Sequence, residues 1–220
     1  LDGFDLVLLK GGKTVKRFYT EEPFEVKRSE FIDLGDITSK LIDFEQSADT
    51  HKSSVPTAGA VDLGAAETAN CYVVTEPGVY SFKAVKGNST TPLASIGSAE
   101  VLWETWGTTE AVAAKSVIDA VDFEKDQVYF RIADDFHPGN AVIAVKNDMG
   151  VIMWSWHIWV PETPIADDLY GISRRKSMDR NLGALVPASA EGASPKAAGL
   201  FYQWGRKDPF PGVADYTTGE

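Results

Sequence analysis

Ile152-Met153-Trp154-Ser155-Trp156-His157-Ile158-Trp159-Val160 is the stretch on which the reading of the fold turns. Taken two at a time, Ile152, Trp154, Trp156, Ile158 and Val160 form one wholly apolar row, and Met153, Ser155, His157 and Trp159 form the other. Side chains of an extended strand alternate between faces, whereas a helix would wind both rows around its circumference. The period of two, carried by aromatic and β-branched residues, predicts a strand with one face in a core. Trp154 and Trp156 lie on the apolar row, and each brings roughly 150 to 250 Å² of surface to bury.

Working outward, strands are predicted over residues 70–75, 79–85, 99–105, 127–133 and 141–146. Most gaps hold turn formers: Pro77-Gly78, Gly87-Asn88, Pro138-Gly139 and Asn147-Asp148-Met149-Gly150. Short strands at this spacing predict an all-β protein, with an antiparallel immunoglobulin-like β-sandwich over residues 66–162. The Ala-rich stretch 110–121 suits either a short helix or an irregular connection. No long 3.6-residue periodicity occurs elsewhere, so helix content is expected to be low.

Before the sandwich, residues 4–9 and 14–19 flank Gly11-Gly12 and read as a hairpin. Phe24-Glu25-Val26 and Phe31-Ile32-Asp33-Leu34 continue in the same style. These strands are too few for two covered sheets, so residues 1–44 are expected to be the closing strands of another β domain. Residues 45–65, rich in Ser, Thr, Asp and Gly and containing Pro56, read as a linker. After Pro161 and Pro164 come the basic run Arg174-Arg175-Lys176, an Ala- and Ser-rich stretch, and Leu200-Phe201-Tyr202-Gln203-Trp204. Residues 163–220 are expected to begin a further module.

Composition narrows the function. The 220 residues are 44% hydrophobic and 24% charged, enough apolar content to build a core. The 32 acidic residues exceed the 21 basic ones, for a net charge of −11, a field that repels nucleic acid and anionic lipid. The longest apolar runs, 151–154 and 158–160, fall far short of the roughly 20 residues of a spanning helix, so no transmembrane segment is expected. Cys71 is the only cysteine, which excludes an intrachain disulfide and leaves the compartment undecided.

Chemistry-bearing residues are sparse. His51, His137 and His157 are far apart in sequence, and Asp134-Asp135 beside His137 reads as a polar loop, so no metal site is expected. No GxSxG elbow occurs, and Cys71 within a predicted strand reads as a buried, inert thiol. Asp167 and Asp168 would point to opposite sides of an extended segment and not converge. No residue is assigned to catalysis and no cofactor is expected. The candidates for ligand contact are Trp106, His157, Trp159, Arg180, Asn181, Trp204 and Arg206. Outward Trp106 or Trp159 would either stack on a sugar or pack against a neighbouring domain. Asp179-Arg180-Asn181 and Arg206-Lys207-Asp208 would either line a polar pocket or pin turns through hydrogen bonds.

Three strings carry a family likeness: Asn70-Cys71-Tyr72-Val73-Val74 with Pro77-Gly78-Val79-Tyr80-Ser81-Phe82 and Val85-Lys86-Gly87-Asn88; the Trp-rich strand 152–160; and Met178-Asp179-Arg180-Asn181-Leu182-Gly183-Ala184 with GLFYQWGRKDPF at 199–210. In this order they resemble signatures of large surface proteins of Bacteroidetes, the fimbrillin-like subunits and fimbrial-tip adhesins. The resemblance implies a non-enzymatic, secreted protein at the cell surface or in a fimbrium, attached to the outer membrane by a lipid anchor upstream in the precursor. It implies other fimbrial or surface subunits as partners, glycans or proteins of host or bacterium as ligands, and assembly by strand donation. The segment from Met178 is similar to the start of a paralogous extracellular domain that is normally much longer. A carbohydrate-binding module of a polysaccharide-capture system is the alternative expectation, and a hydrolase with its active site beyond Glu220 ranks below both.

Overall fold

The computed structural model describes residues 4–10, 13–20, 42–43, 52–105, 115–169, 174–192, 195–211 and 217–218, with backbone alone at 4–10, 13–20, 42–43 and 217–218. Among the described residues every regular element is a strand and none is a helix. The chain divides into two compact units, Leu1–Ser47 and Ala48–Glu220.

In the first unit, β1 (Phe4–Lys10) and β2 (Lys13–Thr20) pair antiparallel from Phe4↔Thr20 to Lys10↔Lys13. That register is the hairpin expected around Gly11-Gly12, since two residues between antiparallel strands suit a tight turn. β3 (Ile42–Asp43) adds to the other side of β2. The strands expected at 24–26 and 31–34 lie outside the described residues.

The second unit holds β4 (Val61–Asp62), β5 (Cys71–Val73), β6 (Gly78–Lys83), β7 (Ser98–Thr105), β8 (Ala120–Glu124), β9 (Gln127–Ile132), β10 (Gly139–Lys146), β11 (Ile152–Val160), β12 (Asp167–Leu169), β13 (Lys176–Met178) and β14 (Thr217–Thr218). One sheet runs β14-β7-β10-β11-β5 and a second runs β4-β6-β9-β8. Both are mixed: β5 joins β11, and β4 joins β6, in parallel, while the other pairs are antiparallel. Their facing sides share one core. Phe82, Phe123, Val128, Phe130 and Ile132 from the second sheet meet Ala141, Ile143, Val145, Trp156, Ile158 and Val160 from the first. The Phe82 and Trp156 rings lie 5.0 Å apart, and the buried Trp156 Nε1–H donates to Val85 O at 3.2 Å.

From Trp156 onward the apolar row of β11 faces the core as its periodicity predicts, and it opens towards the start of the strand, where Ile152 is exposed. Trp156 is fully buried, whereas Trp154, near the strand end, is half-buried, with the Lys86 and Lys207 ammonium groups 5.2 and 4.7 Å from its ring centroid. Cations over an indole face are a stable way to finish a core that reaches the surface.

Two features escaped the sequence reading. β8 pairs with β9 through a two-residue loop, Lys125-Asp126, closed by Glu124↔Gln127. Lys125 takes the left-handed conformation such a loop needs, φ +58°, without the Gly or Asn that normally announces it. The stretch expected as a linker contributes Val55, 2% exposed, and β4 to the second unit. Of the Ala-rich stretch, residues 115–119 form turns leading into β8, and 110–114 lie outside the described residues.

Candidate functional site: a polar seam on the outer face of the first sheet

The row of β11 that points away from the core carries Ser155, His157 and Trp159, and on β10 the same face carries Asn140, Val142 and Ala144. Alternation alone predicts that this face meets water. It does not: Ser155, His157, Trp159 and Asn140 are all 3% exposed or less. The segment that follows β11 lies over them, burying its own Ala184 and Leu185 in turn. A buried polar group needs a partner, and each member of this seam has one.

Trp159 Nε1–H donates to Ala184 O at 3.1 Å, and Ser155 Oγ–H donates to Asp208 Oδ2 at 2.6 Å. Lys207 Nζ donates to Ser155 O at 2.8 Å and forms an ion pair with Asp208. Asn140 Nδ2–H donates to Gly183 O at 2.8 Å. Gly183 holds φ +80°, and a Cβ there would stand 2.6 Å from Leu200 Cγ and 3.2 Å from Asn140 Oδ1, so the turn requires glycine and the packing against Leu200 favours it.

In the middle of the seam, His157 Nε2 lies 2.9 Å from Asn140 Oδ1, and His157 Nδ1 lies 3.3 Å from Cys71 Sγ. The parallel pairing of β5 with β11 sets Cys71 level with His157. Burial pulls the imidazole down to about 4, with Asp208 opposing, so it is neutral at physiological pH. Cys71 is exposed at the edge of its sheet, not enclosed as its strand position suggested, because β5 is an edge strand of three residues. Its sulfur nevertheless lies against His157, and burial pushes the thiol up to about 12. Water at the strand edge softens that penalty, and at neutral pH the thiol is protonated either way. Tyr202, 45% exposed, is raised to about 12 by desolvation and then by the charge Cys71 would carry.

The remaining sequence candidates scatter. Arg180 is 8% exposed and pins a loop: it donates to Thr163 O at 2.9 Å, Leu185 O at 3.0 Å, Pro164 O at 2.7 Å and both carboxylate oxygens of Asp179. Of its two sequence readings, the bonds are those of turn pinning. The same ion pair holds the Asp179 carboxyl below its ordinary value. Asn181 is exposed and donates to Ala197 O and Ala198 O. Arg206 is exposed with its guanidinium 5.2 Å from the Phe210 ring centroid, and Trp204 is 101% exposed beside half-open Phe201 and Tyr202. Trp106 lies outside the described residues. Trp159 and His157, expected to face outward, are covered, and no sugar can reach either ring in this arrangement.

Sequence reasoning singled out His157 but not its partners. Asn140 lies just before the strand expected at 141–146 and drew no reading, and nothing in the sequence pairs Cys71 with a residue 86 positions on. Among the described residues no group of three or more His, Cys, Asp or Glu side chains is placed to hold a metal ion, and no helix is long and apolar enough to cross a membrane. No family model matches the chain, and comparisons with curated proteins and with solved structures found no match.

Proposed function

We propose that this chain is a non-catalytic adhesion and assembly module of a bacterial cell surface, a fimbrial or fimbrial-tip subunit. The observation that carries the reading is the edge at β5: among the described residues no strand pairs with its outer side, so its backbone is open to an added strand. The resemblance of three ordered strings to fimbrillin-like proteins supports the same reading, as does the strand arrangement. β6-β9-β8 and β7-β10-β11 correspond to the B-E-D and C-F-G sets of an immunoglobulin-like sandwich, with β5 joined in parallel to the last strand. Two sheets sharing one core suit a part that bears load. Partners are other surface subunits, and the place of work is outside the cell.

The test is assembly. Replacing Val73 by Pro in the full-length protein removes a backbone donor at the edge without touching the core, and is expected to reduce multimers and surface display severalfold. Unchanged assembly and display would sink the strand-addition reading.

Trp204 favours a second reading, carbohydrate binding. Its indole is wholly exposed, next to Phe201 and Tyr202 at 55% and 45%, and a bare aromatic face is what a sugar ring stacks on. Glycan-array binding that disappears in Trp204→Ala is the expected result. An array without signal removes the idea.

A further inference from the structure

The seam on β11 contains an arrangement that goes beyond adhesion and beyond packing. Asn140 Nδ2 donates to Gly183 O, so its Oδ1 is the atom that faces His157. An amide oxygen only accepts, which places the imidazole proton on Nε2. Nδ1 then carries the lone pair, and that lone pair meets Cys71 Sγ at 3.3 Å. The imidazole is held in one tautomer with its basic nitrogen on a thiol, and the thiol belongs to an exposed residue at a sheet edge. A nucleophile, a base on it and a third group orienting the base make up the general pattern of an activated thiol. It is assembled here from β5, β10, β11 and the turn at Gly183.

We propose that Cys71 is a nucleophile that accepts an acyl group, with His157 as its general base and Asn140 as the residue that positions His157. The substrate class is an activated acyl compound, an ester or thioester whose carbonyl reaches the solvent-facing side of β5. Sγ attacks the carbonyl carbon and forms a C–S bond while its proton passes to His157 Nδ1. The bond from carbonyl carbon to leaving group then breaks, and His157 returns the proton to the departing oxygen or sulfur. The product is an acyl thioester on Cys71. Because both partners start neutral, proton transfer accompanies attack, and the rate follows neutral imidazole instead of thiolate. The groups facing His157 are Cys71 from β5, Asn140 from β10, and Asp208, with Lys207 paired to it, from the C-terminal segment.

The probe is p-nitrophenyl acetate with the full chain. One equivalent of nitrophenolate is expected in a burst, with one acetyl group on the peptide containing Cys71. The burst rate is expected to be flat from about pH 6 to about pH 9, the range over which His157 is neutral and the thiol protonated. His157→Gln should lower the rate on the order of 100-fold near neutrality and make it climb about tenfold per pH unit, the behaviour of thiolate alone. Asn140→Ala should lower the plateau and leave the alkaline limb in place, a split that lost packing would not produce. Cys71→Ser should abolish the thioester. A wild-type rate that climbs about tenfold per pH unit across the whole range, or acetyl found on lysine and not on Cys71, overturns the proposal. That outcome is read on the wild type, so it decides the matter even where a buried variant fails to fold, and it is independent of assembly and display.

Discussion

Trp156 and His157 are neighbours on β11, point to opposite faces and are almost equally buried, at 0% and 3% exposure. What holds them is different. Trp156 is surrounded by Phe82, Ile143 and Ile158 in a core whose attraction is non-directional and scales with apolar area. His157 sits in a seam where each of its ring nitrogens is matched by one partner at one distance. One face therefore withstands changes of pH and tolerates changes of shape at constant volume. The other is sensitive to protonation and to loss of a single acceptor.

The strongest way to break the comparison is on the inner face. Trp156→Ala should lower unfolding free energy by about 3 to 5 kcal/mol, from lost burial and the cavity left behind. Denaturant titration checks it, and a loss under about 1 kcal/mol would mean that β11 is not central to the core.

Acid separates the faces next. His157 has a folded-state value of about 4 against 6.5 for the ordinary group, so the unfolded chain binds the extra proton between those values. Stability contributed by the neutral, buried imidazole is complete above pH 6.5 and falls away as pH drops towards 4. The loss amounts to about 3 kcal/mol. In His157→Gln this part of the pH dependence should vanish, while Trp156→Ala should retain it; denaturation midpoints across that range give the answer.

A smaller effect sharpens the role of the covering segment. Trp159→Phe keeps most of the ring and removes the donor to Ala184 O, for a cost of about 1 kcal/mol. Proteolysis is expected to begin sooner within residues 179–211, while amide exchange in β9 and β10 stays unchanged. Equal loosening of both regions would show that core and cover form one cooperative unit. The smallest change is expected for Trp204→Ala, within about 0.5 kcal/mol of wild type, because a wholly exposed ring contributes little packing. A larger loss would reveal a contact for that indole.

Much of the architecture was legible because its signals are local. Alternation along 152–160 and the Gly and Pro of the flanking turns placed β5, β6, β7, β9, β10 and β11 within a few residues. β8 was missed because Lys125 adopts a left-handed turn that its side chain does not advertise. The candidate site was legible only at His157. Cys71 was expected to be buried; its sulfur does lie against His157, while the residue is exposed because β5 is last in a sheet order that no local pattern encodes. Asn140 gained its meaning from Gly183, whose φ of +80° brings a carbonyl into reach of β10.

By itself the sequence determined that the chain is β-structured, that one face of 152–160 lies in a core, and that its charge disfavours nucleic acid. Those properties depend on the order of neighbouring residues and on summed composition. Tertiary structure alone decided that the second face is also covered, that β5 runs parallel to β11 at the sheet edge, and that a thiol, an imidazole and an amide meet there. Contacts between residues 17, 43 and 86 positions apart arise from sheet register and from a returning segment of chain, and neither leaves a periodic trace in the residues it joins.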